Sequence, residues 1–492
     1  MLGRQERWQE DLFVAGPLSD LIPEDHVLKC VDRVLDLSWL RDEVRDLYCE
    51  DNGRPSIDPE AAVRLMLAGL FQHITKDRRL MREAQVNLAI RWFAGYRLHE
   101  NLPHHSALTK IRMRWGEAKF RSIFERTVRQ CAAHGLVSGE TVHIDATLIR
   151  ADVSWESLVE RHVDRVIEEN ADEAPDASHG NDSGSNGPSR SSMKSRSLTN
   201  QVKKVSRTDP QATLTTAHKF SRMEPCYKQH TAVDDHAGVI VDVHVTTGEA
   251  SEGKELLAQI DRIETRTGVH VETTTADAGY GHAANYGELE HRGTDAVIPP
   301  QRVSARRGRI PLPQFRYDAR NAIVRCPMGK VMNRSSRSER GWMYRAKTSD
   351  CRSCPLRAKC VPKTAQARTV RIVDDYPALV RARRRAAQRD DRWKQMYRRH
   401  RSMVEGVHGE SKSQHGLHRA MRRGRVNVAI QCYLTAAVIN LKRLAKALSP
   451  RALGDWWTRI IDTSATHVVH LQVTPTITSR TNRTSHPLAN AA

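Results

Sequence analysis

The sequence predicts an α/β protein in which a strand-bearing core is interrupted by long insertions and preceded by an all-α N-terminal domain. Three observations carry this prediction. Apolar residues recur at helical spacing over residues 22 to about 136. The period then changes to two over 141–149. The segments that follow read strand, strand, helix, strand before helices return near Tyr376. At 492 residues the chain is long enough for two to four domains.

In the N-terminal domain, residues 1–136, Asp58-Pro59-Glu60 is a helix start, with a capping side chain, a proline in the first turn and an acid beside it. Leu65, Leu67, Leu70 and Phe71 continue it, and Ser106 is the expected cap of a second helix carrying Leu108, Ile111, Met113 and Trp115. The first part of the core spans 137–300. There Val142, Ile144, Ala146 and Leu148 alternate with His143, Asp145 and Thr147, as in a strand. A helix is expected over 155–168. The Ser-, Asn-, Gly- and Pro-rich stretch 174–204 is expected to be disordered. Strands are expected at 227–233 and 239–246, joined by the turn Asp234-Asp235-His236-Ala237-Gly238. A helix over 251–265 follows, then strands at 269–276, ending on Asp277, and at 296–298. A basic insertion occupies 301–375, and core helices occupy 376–448, with 426–448 reading as a buried helix. The tail, 449–492, is expected to be disordered after Asp462.

Lys and Arg outnumber Asp and Glu by 78 to 58, a formal charge of +20. Residues 301–425 hold 34 basic and 9 acidic side chains, so the surplus is concentrated there. Its densest run is Arg381, Arg383, Arg384 and Arg385. Such clustering points to a polyanionic partner rather than a merely solvated surface, because cations laid against phosphates release condensed counterions. The charged first residues are no secretory signal, and the longest nearly apolar run, 428–441, is too short to span a bilayer. A cytoplasmic, reducing setting is expected, with the nine cysteines as thiols or metal ligands. The chain has no GxxxxGK[ST] and no GxSxG motif, which argues against nucleotide hydrolysis and esterase chemistry.

Three carboxylates stand out. Asp145 sits in mid-strand, where Asp is disfavoured; a hydrogen-bonded structural role and a catalytic one both explain it. Asp277 ends a strand before Ala278-Gly279-Tyr280-Gly281, the kind of place where α/β sheets build sites and where turn-forming Asp is also common. Glu405 says more. On a helix over 393–412, at about 100° per residue, Tyr397, Arg401, Glu405, His408 and Lys412 share an arc of roughly 80°, with Met396, Met403 and Val407 opposite. Phosphodiester chemistry explains such a set, since two divalent cations about 3.5–4 Å apart activate the attacking oxygen and stabilise the leaving one. Hard cations of this kind take carboxylate ligands.

These residues resemble the DDE transposases of bacterial insertion sequences. The matching stretches are His143-Ile144-Asp145-Ala146-Thr147, Thr275-Ala276-Asp277-Ala278-Gly279-Tyr280, and Met403-Val404-Glu405-Gly406, continuing through six residues to Lys412. Tyr397 and Arg401 match the family's Tyr and Arg before its Glu, with Tyr397 one residue further away than the family spacing. Gly53-Arg54-Pro55 and Leu102-Pro103-His104-His105-Ser106 resemble the family's helical N-terminal domain. The resemblance covers about 22–448 and implies an RNase H-like catalytic core. It also implies Mg²⁺ (or Mn²⁺) on Asp145, Asp277 and Glu405, with Arg401 and Lys412 on phosphates. Water would first free a 3′-hydroxyl at the element's end, and that hydroxyl would then attack target DNA. Double-stranded DNA, both transposon ends and target, is the implied partner, and a homodimer or larger synaptic assembly in the bacterial nucleoid is the implied setting.

Cys351-x-x-Cys354 with Cys326 and Cys360 has the spacing of a structural Zn²⁺ site; four free thiols are the alternative. Residues 110–129, with Arg112, Arg114, Lys119 and Arg121, are the candidate base-reading helix, and a bundle serving assembly is its alternative. Two other functions use the same residues: a DNA-binding protein without catalysis, and a nuclease that does not join strands.

Overall fold

The computed structural model describes residues 16–49, 56–162, 202–216, 222–301 and 309–448. Gly53-Arg54-Pro55, residues 174–201 of the expected disordered insertion, and the tail lie outside them.

The N-terminal region is helical, as its spacing predicts. It comprises α1 (Val27–Asp32), α2 (Leu40–Val44), α3 (Pro59–Phe71), α4 (Asp77–Val86), α5 (Leu88–Phe93) and α6 (Ser106–Ala133). Asp58 caps α3, its side chain accepting from the Glu60 and Ala61 N–H groups. Ser106 is not the cap of α6. It is the first helical residue, preceded by His105, whose side chain makes no capping bond. α6 bends at Gly116, whose φ of 64° is left-handed.

The sheet begins with β1 (Thr141–Arg150), where the alternation predicts it. Two short strands, β2 (Leu158–His162) and β3 (Val202–Ser206), pair antiparallel, so 158–162 and 202–204 are strand where a helix and a disordered stretch were expected, and 163–168 of that expected helix lie outside the described residues. β4 (Thr213–Thr215), β5 (Glu224–Asp234) and β6 (Ile240–Thr247) follow, with Gly238 at φ +68° in the β5–β6 turn. Beyond them come α7 (Leu256–Thr267), β7 (Thr273–Ala276), α8 (Ala283–Arg292) and β8 (Asp295–Val297). β5 pairs antiparallel with β1 on one side and with β4 and β6 on the other. β7 pairs parallel with β1, and β8 parallel with β7. A sheet of order β6-β5-β1-β7-β8, antiparallel through three strands and parallel through two, is the RNase H-like arrangement.

The basic insertion has its own fold. β9 (Arg316–Asp318), β10 (Ile323–Arg325), β11 (Val331–Ser338), β12 (Gly341–Ala346) and β13 (Thr369–Val373) form a five-stranded antiparallel sheet. With α9 (Thr348–Arg352) and α10 (Arg357–Cys360) it encloses a separate core around Phe315, Val324, Met332 and Tyr344. The chain then returns through α11 (Tyr376–Gln388), α12 (Asp391–Gln414) and α13 (Arg425–Leu448). α13 is buried along most of its length and packs on α6 and β6. The N-terminal helices, the RNase H-like sheet, α12 and α13 therefore share one continuous hydrophobic core. Among the described residues no helix is long and apolar enough to cross a membrane.

Candidate active site

α12 is fixed to the sheet by buried polar contacts. His143 on β1 bonds Thr275 on β7 at 2.7 Å through Nδ1 and Asp235 at 2.7 Å through Nε2; Thr275 in turn meets His400 of α12 at 2.9 Å. Four residues further on, Val404 packs into the core, and then His408 reaches Thr231 on β5 at 3.1 Å. Burial pushes His400 down to about 4 and His408 to about 3, so both rings are neutral near pH 7. The 3.7 Å approach of His408 Nδ1 to Asp145 is accordingly no ion pair. Sequence periodicity placed His408 on the face of Glu405 and Met403 on the core side. In the structure His408 is buried and Met403 is only partly so, because the face turned to the sheet mixes Trp393, Val404 and Val407 with His400, His408 and Ser411.

This docking lies beside a cavity of about 860 Å³ whose wall includes Asp145, Asp277, Glu252, Lys228, Lys412, Arg150 and Arg222. Asp145 comes from the middle of β1 and Asp277 from the end of β7, adjacent parallel strands. Burial, opposed by a hydrogen bond from the Ala146 N–H and reinforced by Asp277, Glu252 and Glu405, raises Asp145 to about 7. Asp277 is also raised, first by burial and then by Glu252. It caps its turn too, accepting from the Gly279 N–H at 2.7 Å, so the turn-forming and site readings both hold. Lys412 is lowered by burial, with Asp145 opposing.

Glu405 lies outside the cavity wall. Its side chain is 65% exposed and bonds Arg401 Nε at 3.3 Å, and Arg401 is 68% exposed. Among the described residues no three His, Cys, Asp or Glu side chains converge as a bound metal would require. The donor chemistry of Asp145 and Asp277 nevertheless fits a hard divalent cation: two partly buried carboxylates, raised first by burial and then by the other acids beside them.

The remaining expected residues separate clearly. Tyr397 stacks between Trp393 and His400, at 5.0 and 5.8 Å, and burial followed by Asp277 raises its hydroxyl. Arg381 and Arg385 pair with Glu290 and Asp295, locking α11 to α8 and β8. Arg383 lies over Tyr376, and Arg384 is exposed. Arg112 corrects the expectation of a DNA contact: it is 7% exposed and holds Asp77 through two bonds of 2.9 and 3.1 Å. Lys119 and Arg121 are likewise engaged, with Glu43 and with Tyr433 and Glu117, and Arg114 stacks on Tyr48 at 4.6 Å. Cys326, Cys351, Cys354 and Cys360 line one small cavity in the insertion. Glu252 and Lys228 were missed. Each is one charge in an ordinary amphipathic segment, and pairing across β5 and the turn after β6 is what brings them to Asp277.

Residues 17–114 match the family described as Transposase domain (DUF772), and residues 325–445 match the Transposase DDE domain. The second match contains Glu405 and the four insertion cysteines, while Asp145 and Asp277 fall outside both. No curated protein matches the sequence. Among solved structures, the cryo-EM piggyBac transposase synaptic complex with hairpin DNA aligns at 9% identity with a TM-score of 0.30. That alignment covers 91% of this chain and 84% of that one, and a likeness at this score carries no argument. Strand order and domain matches define the class, a transposase with an RNase H-like core. Within it the chain is a DDE transposase of the insertion-sequence type, a class that uses divalent metal.

Proposed function

We propose that this transposase cuts DNA at the ends of a bacterial insertion sequence and joins the freed 3′ ends to target DNA, with Mg²⁺ or Mn²⁺ held by Asp145, Asp277 and Glu405. The observation that carries the proposal is the single cavity in which Asp145 and Asp277 meet a wall of Lys412, Arg150 and Arg222. A divalent ion bound there supplies Lewis-acid activation of the attacking oxygen and stabilises the leaving one. Lys412, Arg150 and Arg222 hold the phosphates of the strand entering the cavity. Neutral His408 leaves the charge of Asp145 for the cation. Glu405 exchanges Arg401 for the site when DNA is present, freeing that guanidinium for a phosphate.

The exposed cations Arg384, Lys110 and Arg114 are proposed DNA contacts, and a homodimer or larger assembly is proposed because pairing two ends requires two such cavities. Incubation of the purified chain with Mg²⁺ and the element's end sequences tests the reading. Joined product supports it, nicked product alone indicates a nuclease, and binding without chemistry indicates an inactive DNA-binding protein.

A structural zinc on Cys326, Cys351, Cys354 and Cys360 is also proposed. Support comes from the shared cavity of about 30 Å³, room for one small atom, and from the raised Cys360 thiol. Burial raises that thiol first, and the other three cysteines add to it. Cys326 also sits in a knuckle-like turn, its carbonyl accepting from the Gly329 N–H at 2.8 Å, with Gly329 at φ +78°. The sulfurs do not yet converge on one point. Metal analysis of chelator-free, reduced protein is expected to give one zinc per chain; a value near zero leaves four free thiols.

A further inference from the structure

Glu252 lies in a one-turn 3₁₀ segment, Glu252–Lys254, immediately after β6. That turn is built against the turn carrying Asp277. The buried Asn285 amide donates to both the Gly253 carbonyl, at 2.8 Å, and the Tyr280 carbonyl, at 2.9 Å, tying the two turns together. Neither turn has room for a side chain at its glycine: a Gly253 Cβ would overlap the His282 ring. A Gly279 Cβ would stand 2.6 Å from Glu252 Oε2 and 2.8 Å from Asp277 Oδ1. Two carboxylate oxygens from separate turns therefore converge over the Gly279 backbone, and both residues line the cavity with Asp145.

The other Glu252 oxygen is already held. Lys228 Nζ lies 3.0 Å from Oε1 and donates to the Ala250 carbonyl at 2.8 Å, so the carboxylate is oriented with Oε2 on the Asp277 side. Ligating carboxylates are commonly fixed in this way, one oxygen anchored and one presented. A second observation points to a missing ligand. The Tyr280 hydroxyl is fully buried and has no hydrogen-bond partner, and the charges that bear on it most are Asp145 and then Glu252. A buried donor beside three acids lacks the oxygen that a hydrated cation would bring.

We propose that Glu252 is a metal ligand, and that a divalent cation binding before DNA arrives draws it together with Asp145 and Asp277, three acids that do not converge by themselves. This rests on the metal-site reading above and extends it. Glu405, outside the cavity and paired with Arg401, enters only with substrate. Binding of Mn²⁺ to the DNA-free full chain, followed by the loss of the free-ion electron paramagnetic resonance signal, separates the possibilities. Glu252→Gln keeps the shape and an acceptor for Lys228 and is expected to weaken Mn²⁺ binding at least ~10-fold. Glu405→Gln is expected to change it less than about threefold, since the side chain is not in the cavity. Lys228→Met, which removes the anchor of Oε1 but no ligand, is expected to weaken binding less than Glu252→Gln does. An equal loss in Lys228→Met would instead make Glu252 a structural partner and overturn the proposal. Wild-type affinity in Glu252→Gln with loss in Asp145→Asn also overturns it while leaving the metal-site reading standing. Wild-type affinity in both variants removes the two together.

Discussion

Asp145 carries a charge the fold does not welcome. Its carboxyl titrates near 4 in an unfolded chain and at about 7 here, chiefly through burial. The folded state therefore binds a proton that the unfolded state has released, and stability is lost as pH rises from about 4 through about 7. Asp145→Asn removes that penalty. In chelator at pH 8 it is expected to be more stable than the wild type by on the order of 2–4 kcal/mol. At pH 4 the two should melt together. A variant that melts lower at pH 8 would show that Asp145 is held by hydrogen bonds and not reserved for a cation. The same proton competes with metal, so Mn²⁺ affinity of the wild type should rise with pH up to about 7 and then level off. Asp145 could be picked out in the sequence because a strand tolerates a central Asp poorly, and Asp277 because it closes a β-rich run. Glu252 could not, since nothing local distinguishes an acid that follows a strand from any solvated one.

The helix expected to read DNA also serves as a brace. Arg112 of α6 holds Asp77 at the start of α4, and Arg422, just before α13, reaches the same carboxylate. Arg112→Met is expected to destabilise the protein by about 1–3 kcal/mol, because it removes two charged hydrogen bonds and leaves Asp77 with Arg422 alone. DNA affinity per folded molecule should be unchanged; a selective loss of affinity with normal unfolding in urea would restore the expected DNA-contacting role. α13 shows the same principle. Gln431 and Asn440 interrupt its apolar run in the sequence, but both are buried and used. Gln431 accepts from the Met421 N–H, and Asn440 bonds both the N–H and the carbonyl of Ile240 on β6. Asn440→Leu strands two backbone groups at once, for an expected cost of roughly 2–4 kcal/mol in thermal or urea unfolding. Long periodic elements such as α3, α12 and α13 were legible because their own residues determine them. β2 and β3 were not, because each is a short alternation whose partner lies far along the chain. The five strands of the insertion were obscured in the same way by their surface arginines.

At the scale of the molecule, what the sequence divides into a helical domain and a catalytic core is held by one set of contacts. Phe124 of α6 stacks on Tyr433 of α13, Arg121 bonds the Tyr433 hydroxyl at 2.6 and 3.0 Å, and Thr127 meets Asn440 at 3.3 Å. A fragment of residues 1–136 therefore exposes the face that α13 covers. It is expected to be aggregated or only partly folded by circular dichroism, whereas the full chain melts in one transition for this core. A monomeric fragment with a sharp melt would show that the helical region is an independent unit. The basic surplus is also partly consumed internally, as Arg381, Arg385 and Arg399 are paired with acids. The slope of log affinity for DNA against log salt should thus report far fewer phosphate contacts than the 34 cations of 301–425 suggest.

α13 has one more consequence, in time rather than in space. Chains leave the ribosome at roughly 5–20 residues per second, so α6 and β6 exist for many seconds before α13, the helix that packs on both. During that interval β1 and β7 are made before α12 reaches them, and the faces of α6 and β6 stand open. A message interrupted before Arg425 is expected to give a product whose α6 and β6 faces are open to proteases and which is degraded faster than the full chain in a pulse-chase. The build order thus leaves the faces of α6 and β6 uncovered until translation has passed Leu448.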